Sequence, residues 1–213
     1  FYLNEEHFKL RQAGIQAWRD ISNILPDLPL QWSGTIVWDM ADENRQEMID
    51  QLRLWDYPFA ELDKNSLKAL EPSLMKISDN ALHLPKEGFV SLSLAASKLL
   101  KASGAKACSG ISAQTIDIVS DRVRGVQTDQ GMIEADQIVV AAGTATEGIA
   151  ASLDIKIPML SRPGLMLRTS PAPKSLSNVC ATLDFELLQR DDGKFMLPVS
   201  LGHQSDKSEY IPN

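Results

Sequence analysis

Five apolar residues in a row, Ile138-Val139-Val140-Ala141-Ala142, stop at Gly143. A run apolar on every side reads as a strand covered on both faces, as in a parallel sheet with helices above and below. Ligands of such sheets sit at the carboxyl ends of the strands. Ala141, Ala142 and Gly143 are small residues at such an end, where backbone can approach a ligand closely. They are the first candidate binding residues. The surrounding stretch, Gly104 to Thr146, reads as a helix C-terminus, a strand, a hairpin turning at Gly131, and then this apolar run.

A chain of 213 residues allows one large domain or two small ones. Its 44% hydrophobic and 23% charged content is that of a globular protein with a sizeable core. A net charge of −7 with no basic cluster argues against nucleic acid as a partner. The apolar runs are too short to span a bilayer, and no signal peptide opens the sequence. Phe1-Tyr2-Leu3 lacks an initiator methionine, which reads as a cut from something longer. Cys108 and Cys180 lie far apart with no paired spacing. They are expected to be free buried thiols in a reducing compartment, which points to the cytoplasm. His7, His83 and His203 are scattered, and no metal-ligand spacing occurs.

Asn4 can cap a helix whose first turn carries Glu5 and Glu6, with Phe8, Ile15, Trp18, Ile21 and Leu25 at helical spacing. Gly34 to Trp38 reads as a strand, Asp42 to Trp55 as a second helix, and Phe59 to Asp63 as a short strand. Asn65 or Ser66 is expected to cap a brief helix to Leu70, stopped by Glu71-Pro72. Ala81 to Pro85 is a strand, and Ser91 precedes a helix closed by Gly104. Ile111 to Val119 has strand propensity, and Asp129-Gln130-Gly131 is a hairpin signal. Thr144 opens a short helix to Leu153. Leu165 to Thr169, Val179 to Leu188 and Lys194 to Val199 read as antiparallel strands, with Asp191-Asp192-Gly193 a turn between two of them. This order predicts two interleaved units rather than two consecutive domains.

The chemistry-bearing residues are sparse. There is no GxGxxG loop and no P-loop, so any nucleotide site is incomplete in this sequence. Arg162, Arg168 and Arg190 lie in or near the last strands, where a guanidinium fork can hold a carboxylate, although a lone strand arginine is more often solvated. Glu71 is expected to pair locally. Trp18, Trp32, Trp38 and Trp55 could line an apolar pocket, but at these spacings they read first as core. No carboxylate pair, nucleophile elbow or Cys/His pair has catalytic spacing.

Five stretches nevertheless occur in a familiar order: Trp32-Ser33-Gly34-Thr35-Ile36-Val37; Leu70-Glu71-Pro72; Pro85-Lys86-Glu87-Gly88-Phe89-Val90; Gly104 to Gly143; and Pro163-Gly164-Leu165-Met166-Leu167 followed by Arg190-Asp191-Asp192-Gly193-Lys194. Together they resemble the FAD-dependent oxidoreductases of the D-amino-acid oxidase, D-amino-acid dehydrogenase and glycine oxidase family. The resemblance implies an α/β fold (α+β mixed). A partial FAD-binding Rossmann-like unit is interleaved with a substrate domain built on a mixed, largely antiparallel sheet that roofs the flavin. Residues 1–85 and 155–213 would form the substrate domain, and 86–154 the middle of the FAD domain.

The resemblance further implies an enzyme that removes a hydride from the carbon beside an amine, the flavin carrying the redox chemistry. The substrate would be a small amine or amino acid of D-amino-acid, glycine or sarcosine type. Ala113 falls where the family's strand offers backbone to the adenine side of FAD, though a valine is usual there. Ala141, Ala142 and Gly143 match the strand end that passes the dinucleotide. Ser91-Leu92 and Arg162-Pro163-Gly164 depart from the usual acidic-proline and Arg-Gly patterns. The family's glycine loop and its substrate-carboxylate arginine find no counterpart in these residues, so the 213 residues alone are expected to hold no FAD tightly and turn over nothing. The acceptor is left open between oxygen and a membrane quinone, and a homodimer is left open too. Two rivals stand beside the enzyme: a non-catalytic domain of the same fold that binds a small acid or a protein, and an interaction surface that self-associates through exposed apolar area.

Overall fold

In a computed structural model, the described residues are 4–75, 77, 79–159, 165–182 and 185–199. They form two compact units, one from Phe1–Ala102 with Gly164–Asn213 and the other from Ser103–Pro163. One unit interrupts the sequence of the other, and the division falls at the end of a helix.

The first unit opens with α1 (Glu5–Ile24), whose cap is Asn4: its side chain accepts from the His7 amide at 2.8 Å. β1 (Leu30–Gln31), β2 (Thr35–Val37), α2 (Asp42–Leu54), β3 (Ala60–Leu62), α3 (Lys64–Leu70), β4 (Ala81–Leu84), β5 (Phe89–Val90) and α4 (Leu92–Ser103) follow. The cap of α3 is Asp63, not Asn65 or Ser66: its carboxylate accepts from the Ser66 amide at 2.7 Å. An ionised oxygen in that place also meets the positive helix end.

After the second unit come β9, β10, β11 and β12 (Leu165–Arg168, Val179–Ala181, Glu186–Gln189 and Phe195–Val199). Val179 to Leu188 is therefore two strands rather than one. Thr182 breaks the run: its amide donates to the Phe185 carbonyl at 2.8 Å, and its hydroxyl accepts from the Phe185 amide at 3.2 Å. A seven-stranded sheet results, ordered β3-β4-β2-β10-β11-β12-β9, with β2 and β10 parallel and every other pair antiparallel. β1 and β5 pair separately.

Strand alternation sends neighbouring side chains to opposite faces. On one face Val37, Leu82, Leu84 and Ala181 pack with Phe8 of α1 and with Met48, Ile49 and Leu52 of α2. On the other, Ile36, Ala81 and Cys180 pack with Trp38, Leu67 and Leu176, and Leu187 and Phe195 join them. Burying one such aliphatic side chain contributes about 1.5–3 kcal/mol, so two packed faces fix the register of the central strands.

The second unit is a three-stranded antiparallel sheet, β6 (Ala113–Val119), β7 (Arg122–Thr128) and β8 (Gly131–Glu134), with α5 (Thr146–Ala151) packed against β6. Ser120 and Asp121 join β6 to β7 with φ of 51° and 60°, the left-handed pair that matches the twist of a tight hairpin. Asp129-Gln130 makes the second turn, where the Thr128 hydroxyl donates to the Gly131 carbonyl at 2.5 Å.

Residues 138–142 depart from expectation. They form no ladder with any described strand, and Val139 is 90% exposed. Ile138 and Val140 are half-buried, but no described strand pairs with the run.

Candidate functional site

Two surfaces carry functional potential, one in each unit. In the first unit, the face of the large sheet that α1 and α2 cover is covered only in part. Register places Thr35, Val179, Leu188, Met196 and Arg168 in one row across it. Ala181, Glu186, Pro198 and Met166 make the next. Thr35, Val179 and Ala181 are buried, Leu188, Met196 and Pro198 are half-buried, and Glu186, Arg168 and Met166 are exposed. The helices thus leave a bare strip over β11, β12 and β9, apolar except for one acid and one base. Neither Glu186 nor Arg168 has an ion pair among the described residues, whereas Arg190 is held by Asp192 in the turn at 3.5 Å. Of the three arginines named from sequence, Arg168 faces this strip, Arg190 braces a turn, and Arg162 lies outside the described residues.

Buried polar side chains fasten neighbouring loops to the sheet. Gln189, 2% exposed, accepts from the amides of Ser175 and Leu176 at 2.8 and 3.0 Å. Its amide group reaches the carbonyls of Ala172, Pro173 and Gly193 at 3.2, 2.9 and 3.1 Å. One side chain thereby fastens the loop after β9 to the end of β11.

Glu71, 1% exposed, does not pair locally. It accepts from the Ser177 and Asn178 amides at 2.9 and 2.5 Å, just before β10. Burial pushes its carboxyl up, and these two donors hold it back. The Asn178 side chain donates onward to the Ser33 carbonyl, beside Gly34. Gly34 has φ +76°, and a Cβ there would lie 2.5 Å from His83 Nε2. Burial pushes the His83 imidazole down.

The tryptophans divide. Trp38 and Trp55 are core, Trp55 stacking on Phe8 at 4.7 Å. Trp18 and Trp32 line a pocket of about 270 Å³ between α1 and the β1–β5 pair, with Ile15, Leu30 and Phe89. Both cysteines are free, but only Cys180 is buried as expected, Cys108 being exposed; burial pushes the Cys180 thiol up to about 12. Among the described residues no cluster of His, Cys, Asp or Glu could hold a metal, and no helix is long and apolar enough to cross a membrane.

In the second unit, Ala141, Ala142 and Gly143 are exposed, directly before the turn Gly143–Ala145 that leads into α5. Gly143 has φ +57°, and a Cβ there would meet open space. Ala113 begins β6 opposite Thr128 and is exposed. These four residues share a unit and offer backbone with little side chain in front of it. They do not make a cradle for a pyrophosphate, which needs converging amides from a glycine-rich loop.

A family model and several solved structures match along nearly the whole chain, and one curated relative over less than half of it. The sequence matches the FAD dependent oxidoreductase family, DAO, over residues 1–207. The 4-methylaminobutanoate oxidase (formaldehyde-forming) of Paenarthrobacter nicotinovorans is 28% identical over 93 residues, 42% of this chain and 11% of that protein. The L-proline dehydrogenase of P. horikoshii superposes with a TM-score of 0.78 at 18% identity, covering 93% of this chain and 57% of that one. Glycine oxidase from Bacillus cereus gives 0.77 at 17%, covering 94% and 60%. L-amino acid deaminase from Proteus vulgaris gives 0.80 at 18%, covering 92% and 49%. The chain therefore spans roughly half to three-fifths of the length of these structures and shares their mixed α/β fold. It belongs to the DAO family of FAD-dependent oxidoreductases.

Proposed function

We propose that this chain supplies the substrate-side sheet and the middle of the flavin domain of an enzyme that oxidises the C–N bond of an amine or amino acid to an imine. The single observation behind this is the bare strip over β11, β12 and β9 in a chain of this family. FAD, when bound, accepts the hydride; the chain's own residues bind and orient the amine and keep water from it. Leu188, Met196, Pro198 and Met166 give an apolar wall against which a carbon chain can lie. Ala113, Ala141, Ala142 and Gly143 would pass the dinucleotide by their backbone, the side chains being too small to obstruct it.

The candidate substrate is a small amine or amino acid, with D-amino acids, glycine and sarcosine among those to be tested. The two free thiols support a reducing compartment, the cytoplasm. The test is anaerobic addition of such amines to the flavin-loaded enzyme of which this chain is a part. Loss of the oxidised flavin band, with release of a carbonyl product, supports the reading. A whole enzyme that carries no flavin, or whose flavin no amine reduces, returns the assignment to a binding domain of the same fold.

A further inference from the structure

The two charges on the bare strip are not neighbours. Glu186 sits on β11 and Arg168 on β9, with β12 between them. Arg168 stands opposite Met196, which stands opposite Leu188, so Arg168 and Leu188 share a row and Glu186 lies one row along. Two strand spacings and two residues of rise put their Cα atoms about 12 Å apart. Both side chains are exposed on the same face, and Met196 and Pro198 lie between them.

Resting on the reading above, we propose that this pair selects the substrate: an ω-amino acid, its ammonium end beside Glu186 and its carboxylate held by Arg168, rather than an α-amino acid. An α-amino acid carries both charges on one carbon and cannot address both side chains at once. Near Arg168 its ammonium is misplaced, and near Glu186 its carboxylate is repelled. A chain of several methylenes reaches both, and its apolar middle meets Met196 and Pro198. A guanidinium holds a carboxylate in two parallel bonds, which fixes the end that does not react. Glu186 and Arg168 are binding residues here.

The experiment uses the flavin-loaded enzyme and reads the rate of anaerobic flavin reduction. The probes are 4-aminobutanoate, 5-aminopentanoate, glycine, sarcosine and D-alanine. The ω-amino acids are expected to give a kcat/KM at least about tenfold above the α-amino acids, the discrimination of one modest charge pair. Arg168→Gln should raise KM for the ω-amino acids about tenfold with little change in kcat, and Arg168→Lys should recover part of it. Glu186→Gln should shrink the ratio between the two classes. Retained flavin absorbance shows that each variant is folded, and the wild-type ratio stands by itself if one is not. Reduction by α-amino acids at equal or higher kcat/KM overturns the selection and leaves the oxidase reading intact. No reduction by any probe overturns both.

Discussion

Glu71 and Asn178 stand 107 positions apart and are joined by one hydrogen bond, the Asn178 amide donating to the Glu71 carboxylate at 2.5 Å. The same carboxylate takes the Ser177 amide at 2.9 Å. The end of α3 is thereby locked to the start of β10, across the chain that forms the second unit.

Removing that acceptor strands two amides. Glu71→Ala should destabilise the fold by about 2–4 kcal/mol, since each unsatisfied buried donor costs about 1–3 kcal/mol. Glu71→Gln keeps an oxygen in place and should cost far less. Denaturant titration of the two variants checks the order; equal losses would mean the side chain acts by volume alone.

Gly34 and His83 make a second, separable test. Gly34→Ala combines a left-handed backbone, worth about 1–2 kcal/mol, with a Cβ that meets the imidazole. Adding His83→Ala to Gly34→Ala should relieve the clash and leave the backbone cost. A double-mutant cycle should therefore show coupling between the two; strict additivity would refute the contact.

His83 also predicts a pH dependence. Burial lowers its folded value below the ordinary 6.5, so between the two values the unfolded chain binds more protons. Stability contributed by the neutral ring is present above 6.5 and is lost as pH falls below it. The slope of stability against pH in that window should diminish in His83→Gln. An unchanged slope would assign it to other groups.

Much of this architecture was readable from local chemistry. Asn4 with Glu5 and Glu6 names a helix start, and Asp191-Asp192-Gly193 names a turn, because the causes lie within a few residues. The partners of Glu71 lie more than a hundred residues away, so its proline neighbour gave the only hint. β1 and β5 are two residues each, too short for alternation to register. Strand propensity runs unbroken through Val179 to Leu188, and only the Thr182 hydroxyl marks the break. The run Ile138 to Ala142 misled for a physical reason: apolar composition reports what a segment needs beside it, and no described strand pairs with this one. The strip with Glu186 and Arg168 follows from strand order, which pairs β12 with β9 and cannot be read from either sequence alone.

The two faces of β11 should respond oppositely to a charge. Leu187 packs into the core, so Leu187→Lys should cost several kcal/mol. Leu188 and Met196 point to the bare strip. Met196→Lys should change stability by less than about 1 kcal/mol while lowering kcat/KM of the flavin-loaded enzyme. Comparable destabilisation by both would mean the strip is core.

Anaerobic titration of the flavin-loaded enzyme of which this chain is a part, with a panel of amines and amino acids, tests the central claim most directly. The account predicts that at least one small amine removes the oxidised flavin band stoichiometrically, and that Met196→Lys suppresses this without loss of flavin. A flavin that stays oxidised against the whole panel, or wild-type rates in Met196→Lys, would contradict it.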